Sequence, residues 1–162
     1  MKSEKLAILG GPKLIEKKFK KYNSFGPEEI EAASLVIQKG ILSDFEGSPG
    51  SRFLGGEKVR EFEKCIQDYF GVKHAVTVNS WTSGLTASIG ALGIEPGDEV
   101  IVSTWTMCAT ATAILHWNAI PVFADIEPEF YCIDPQSVER NITKKTKAII
   151  AVDIFGQSSN VD

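Results

Sequence analysis

The sequence predicts an α/β fold, a mostly parallel sheet flanked by helices. Its 162 residues are 43% hydrophobic and 23% charged, and a chain of that length buries roughly 70% of its unfolded surface, enough for one core. From residue 74 onward, β-favouring runs alternate strictly with helical patterns. The runs themselves are almost continuously apolar, as strands covered on both faces must be.

Residues 1–26 read as an arm without periodicity. GPEEIEAASLVIQKG is a capped helix: Pro27 stands in its first turn, Glu28 and Glu29 oppose the helix dipole, and Gly40 lies beyond its end. Residues 41–56 form a long loop with four glycines and a proline, and a loop of that length is functional or disordered. A second helix runs from Glu57 to Phe70, with Val59, Phe62, Ile66 and Phe70 on one side and Gly71 as its stop. HAVTV (74–78) is a strand, 81–92 a helix closed by Gly93, EPGD a turn, and EVIVS (99–103) a strand. A helix over 107–117, a strand IPVFAD (120–125), a short helix 134–142 capped by Asp134, and a strand KAIIAVD (147–153) complete the pattern. Crossovers between such parallel strands are right-handed.

Several classes are disfavoured. Cys65, Cys108 and Cys132 are an odd, scattered set without CxxC spacing, which suits reduced thiols of a cytoplasmic protein better than a disulfide frame or metal site. His74 starts a strand and His116 sits on a helix, so neither suggests a metal. Met1–Lys13 lacks the long apolar run of a signal peptide. Residues 100–124 contain no Asp, Glu, Lys or Arg, but they break locally into strand, turn, helix and strand, so a buried α/β unit is preferred to a membrane span. The net charge is −4, and the basic run EKKFKK (16–21) is a solvated arm rather than a nucleic-acid contact.

The stretch VNSWTSGL (78–85) carries the functional signal. A strand passes into a helix through Ser80, Thr82 and Ser83, with Gly84 in the first turn. In parallel sheets ligands bind beyond the carboxyl ends of strands, where helix starts offer unpaired N–H groups and a partial positive charge. Three hydroxyls there either assist an anion such as phosphate or leave Ser80 as a plain cap with incidental neighbours. GxxxxGK[ST] and GxGxxG are both absent.

The stretches LAILGGPK, GGEKVREFE, YFGVKHAVTVNSWTSGL, LGIEPGDEVIVSTWTMCATATAI, AIPVFADIEPEFYCIDP and TKAIIAVDIFGQSSNVD stand in an order and spacing that resemble the DegT/DnrJ/EryC1/StrS family of pyridoxal-phosphate sugar aminotransferases. The resemblance implies the N-terminal part of a fold-type I, aspartate aminotransferase-like large domain, incomplete in this chain. It divides the chain into an arm (1–26) and part of the cofactor-binding domain (27–162). It implies that the amides of Trp81 and Thr82, with the Thr82 hydroxyl, hold the phosphate of pyridoxal 5′-phosphate, that Ser80 orders the turn, and that Met107 packs on the pyridine face. Trp105 takes that last role if the register differs by two. Asp153, where relatives often carry His, either faces the site or caps the turn. Strands 99–103 and 120–125 should be neighbours, while 74–78 and 147–153 should reach the sheet through strands encoded later.

Pyridoxal chemistry needs a Schiff-base lysine and an acid at the pyridinium nitrogen. The family carries both on later elements, so no catalytic residue is assigned within this chain and both are expected beyond Asp162. The full-length protein would move an amino group from glutamate or glutamine to a keto sugar, usually nucleotide-linked, as a cytoplasmic homodimer without membrane or nucleic-acid partners. Loop 41–56 would help to choose the sugar. Two alternatives stand: a dehydratase of the same family, in which histidine replaces the lysine, and a non-catalytic relative that binds phosphate esters.

Overall fold

The computed structural model describes residues 5–160; the first four residues of the arm and residues 161–162 lie outside the described part. The chain divides into two units at Phe62/Glu63, within the second helix.

In the first unit, residues 5–26 contain one 3-10 turn, Ala7–Leu9, and are otherwise irregular. Helix α1 covers Pro27–Lys39. Gly26 precedes it in extended conformation, its N–H donating to Glu29 Oε2 at 2.6 Å, and Gly40 ends it at φ 73°, where a side chain would be strained. The 41–56 loop closes on itself. Arg52 pairs with Glu46 and Asp44, the Glu46 N–H donates to the Arg52 carbonyl, and the rings of Phe45 and Phe53 stack at 6.5 Å. The glycine-rich composition therefore builds an organised loop. Helix α2 covers Glu57–Phe70, and Lys39 meets Glu57 at 3.2 Å on the surface.

The second unit holds the sheet. Strands β1 (Glu99–Ser103), β2 (Ile120–Ala124) and β3 (Thr146–Ile150) lie parallel in the order β2-β1-β3. Helices α3 (Trp81–Ala91), α4 (Cys108–Leu115) and α5 (Pro135–Asn141) alternate with them. The central strand shows how the two-residue period builds two cores. Val100 and Val102 point to one face, packing with Ile89 of α3, Ile114 of α4, Ile94 and Ala119. Ile101 points to the other, packing with Ala124 and Ile133 and, less buried, Val122 and Val138 of α5. Val100, Ile101, Val102 and Ile114 are fully buried, each contributing about 1.5–3 kcal/mol of transfer free energy. The charge-free stretch 100–124 is thus β1, α4 and β2, and among the described residues no helix is long and apolar enough to cross a membrane.

Two strand expectations are corrected. Residues 74–78 form no strand. No strand lies beside them among the described residues, and the Thr77 N–H and hydroxyl both donate to the Glu63 carboxylate, at 2.8 and 2.9 Å. Residues 146–150 need no later strand to reach the sheet. They pair directly with β1, Val100 opposite Ala148 and Val102 opposite Ile150, after an irregularity at Glu99/Val100. The neighbours β1 and β2 pair from Glu99/Ile120 to Ser103/Ala124.

Between β2 and α5 the Glu127 carboxylate caps a tight turn, accepting N–H groups from Phe130, Glu129 and Cys132. The Phe130 bond, ahead of those from Glu129 and Cys132, holds Glu127 below the ordinary glutamate pKa. Asp134 caps α5 through the N–H groups of Gln136 and Ser137. The three cysteines are free thiols, Cys132 buried and the others exposed.

Candidate functional site

The start of α3, the start of α4 and the segment after β3 meet around a crevice of about 540 Å³. Trp81 and Thr82 line it from α3, Met107 from just before α4, Thr110 from α4, and residues 150–153 from the end of β3 and the segment after it. Its position follows from the parallel sheet, which brings helix starts and strand ends to the same edge.

The α3 start is built by Ser80. Its extended backbone (φ −161°, ψ 159°) places Oγ to accept the Ser83 N–H at 3.2 Å, and its carbonyl accepts the Gly84 N–H at 3.1 Å. The cap therefore uses the third and fourth amides of the helix. The first two, on Trp81 and Thr82, have no acceptor among the described residues. The three hydroxyls divide in the same way. Ser80 and Ser83 bond to each other at 3.1 Å, while the Thr82 hydroxyl has no such partner and is exposed. The first turn carries no acidic residue. Two N–H groups and a hydroxyl at the positive end of a helix suit phosphate oxygens.

Trp81 explains the glycine in that first turn. A Cβ on Gly84 would lie 3.1 Å from Trp81 Cε3, so the indole rests against the next turn of the helix. A larger residue at 84 would push it off.

Met107 stands immediately before α4, makes no side-chain cap bond and is 72% exposed. It lines the crevice, whereas Trp105 is outside the lining, its ring centroid 6.5 Å from that of Tyr131. Beyond Met107, the hydroxyls of Thr106 and Thr110 bond at 2.9 Å across the start of α4. Sequence reasoning missed this pair, although its i, i+4 spacing was a readable signal. Asp153 lines the crevice and also fastens its own turn, Oδ1 accepting the Ser159 N–H at 2.8 Å. Ser80 itself is the support beneath the site and lies outside the crevice lining.

Comparison with known proteins gives concordant findings. The chain is 42% identical over 137 residues to the spore coat polysaccharide biosynthesis protein SpsC of Bacillus subtilis, covering 85% of this chain and 32% of that protein. It is 42% identical over 107 residues to a GDP-perosamine synthase of Caulobacter vibrioides, covering 66% and 29%. Among solved structures it resembles Spr1654 of Streptococcus pneumoniae, assigned as a sugar aminotransferase and solved in its PLP form, with TM-score 0.74, 30% identity and coverage of 85% and 32%. The chain thus spans about a third of the length of these relatives. The family model that matches residues 42–162 contains the whole sheet and every crevice residue, and the chain belongs to the DegT/DnrJ/EryC1/StrS aminotransferase family.

Proposed function

We propose that this chain is the N-terminal part of a pyridoxal-phosphate-dependent aminotransferase that moves an amino group from glutamate or glutamine to a keto sugar carried on a nucleotide. The observation that carries the reading is the pair of free amides at Trp81 and Thr82, opening with the Thr82 hydroxyl onto a crevice at the carboxyl edge of the sheet.

In this reading the Trp81 and Thr82 amides and the Thr82 hydroxyl bind the cofactor phosphate, and Ser80 holds them in place. Met107 covers one face of the ring through its polarizable thioether. Pyridoxal phosphate supplies an electron sink that lets an amino group leave one carbon and join another. The residues described here anchor and orient; proton movement belongs to a lysine expected beyond Asp162. Residues 1–26 are an arm, residues 27–162 part of the cofactor-binding domain, and loop 41–56 a contributor to sugar choice. The intact protein is a cytoplasmic homodimer.

The GDP-linked product in the name of one relative and the PLP form of another support the substrate and cofactor classes. The test uses the full-length protein with pyridoxal phosphate, glutamate and a panel of nucleotide-linked keto sugars. Release of 2-oxoglutarate matched by an aminated sugar in the mass spectrum is the expected result. Sugar deoxygenation without nitrogen transfer would replace this reading with the dehydratase one.

A further inference from the structure

Asp153 stands three residues past the last residue of β3 and is the one ionisable side chain among the described residues that line the crevice. Beyond it the chain reverses sharply. Phe155 (φ 53°) and Gly156 (φ 82°) are consecutive left-handed residues, and they return the chain so that Ser159 lies against the strand end. Ser159 is buried, its N–H donates to Asp153 Oδ1 at 2.8 Å, and its hydroxyl donates to the Val152 carbonyl at 3.2 Å. The carboxylate is therefore held from behind by its own chain. Its second oxygen, Oδ2, takes no hydrogen bond from the described residues.

Donors and acceptor are thus separated in the crevice. Free N–H groups and the Thr82 hydroxyl stand at the α3 start, the Thr106 and Thr110 hydroxyls are engaged with each other, and a fixed carboxylate stands at the end of β3. A ligand that matches this polarity has one anionic end and one hydrogen-bond donor. A second anionic group would be repelled. A carboxylate oriented before binding loses little freedom when a ligand arrives.

We propose that Asp153 is a ligand-positioning residue: Oδ2 accepts a hydrogen bond from a hydroxyl or amino group on the phosphate ester whose phosphate sits at the start of α3. The proposal rests on the phosphate reading above and adds the partner for the other end of the molecule.

Asp153→Asn separates this role from the turn-fastening one. An asparagine keeps an oxygen for the Ser159 N–H and presents N–H groups where Oδ2 stood, turning acceptor into donor. The probe is pyridoxamine 5′-phosphate, which carries a hydroxyl and an amine and binds without covalent attachment; inorganic phosphate is the control. Both are titrated calorimetrically into the full-length protein. Asp153→Asn is expected to weaken pyridoxamine phosphate about tenfold or more, leaving inorganic phosphate affinity and the unfolding temperature of the ligand-free protein unchanged. Asp153→Glu, which retains a charged acceptor, is expected to bind pyridoxamine phosphate more tightly than Asp153→Asn. Unchanged affinity in Asp153→Asn, equal loss for both ligands, or the reverse order of Glu and Asn would overturn the inference and leave the phosphate reading intact. Wild-type protein that binds neither ligand would remove the phosphate reading and this inference with it.

Discussion

Thr82 offers two donors to the crevice, its amide and its hydroxyl, and the second can be removed alone. Thr82→Val keeps the β-branched shape and the amide while deleting the hydroxyl. In the full-length protein it is expected to weaken pyridoxal-phosphate binding by about 1–3 kcal/mol, read as a shift in cofactor dissociation constant; an unchanged constant would remove the Thr82 hydroxyl from the site. Ser80→Ala acts differently, because its oxygen serves the helix. Losing the Ser83 N–H bond is expected to lower folding stability by about 0.5–2 kcal/mol. Glu127 gives a pH-dependent counterpart. Its folded pKa is depressed, so its contribution is present above the ordinary glutamate value and is lost as pH falls through the folded one. Glu127→Gln should therefore lower the urea midpoint at neutral pH, with the gap to wild type closing in acid. A gap that stays constant with pH would mean that ionisation of the Glu127 carboxylate is not its source.

Two residues past the end of α4, Trp117 packs on α3 at a glycine. A Cβ at Gly90 would enter the Trp117 ring, which is held by the bond from its Nε1 to the Thr86 carbonyl at 2.8 Å. Gly90→Ala is expected to destabilise by about 1–3 kcal/mol through overpacking. In a Trp117→Ala background the same change should stabilise, by about 1 kcal/mol of helix propensity. A loss of similar size in both backgrounds, measured by thermal unfolding, would disprove the clash. Elements of this kind were legible wherever local chemistry sets the boundary. Pro27 and Gly40 bracket α1, Ser80 starts α3, and Asp134 with Pro135 starts α5. Strand pairing was less legible, because β propensity in HAVTV reports a suitable surface and says nothing of a partner. For the same reason the direct pairing of β3 with β1 was missed. At the candidate site, Ser80 and Thr82 stood out through their place at a helix start, whereas Trp81 and Met107 were named only through the family resemblance. The Asp153–Ser159 fastening depends on two left-handed residues between them, which no local pattern announced.

At the scale of the whole molecule, the proposed chemistry needs a Schiff-base lysine and an acid at the pyridine nitrogen, which the family resemblance puts on later elements. The sequence after SSNVD is expected to give a helix, then an apolar strand ending in an acid, then a Ser-rich segment presenting a lysine. Reading the gene past Asp162 tests this: a lysine there selects transamination, a histidine the dehydratase branch, and a stop codon removes both. The sheet order also bears on how the protein is made. Its central strand is synthesised before either neighbour, and β2 arrives on one side well before β3 arrives on the other. On a ribosome adding about 5–20 residues per second, β1, α4 and β2 can close as one βαβ unit while the far edge of β1 is still bare. During that interval the β1 backbone groups on the β3 side, such as the Glu99 N–H that later donates to the Lys145 carbonyl, are open to any passing strand. Of these three strands β3 docks last, and it covers that edge of β1 in the same step in which it brings its Asp153 turn to the crevice lining.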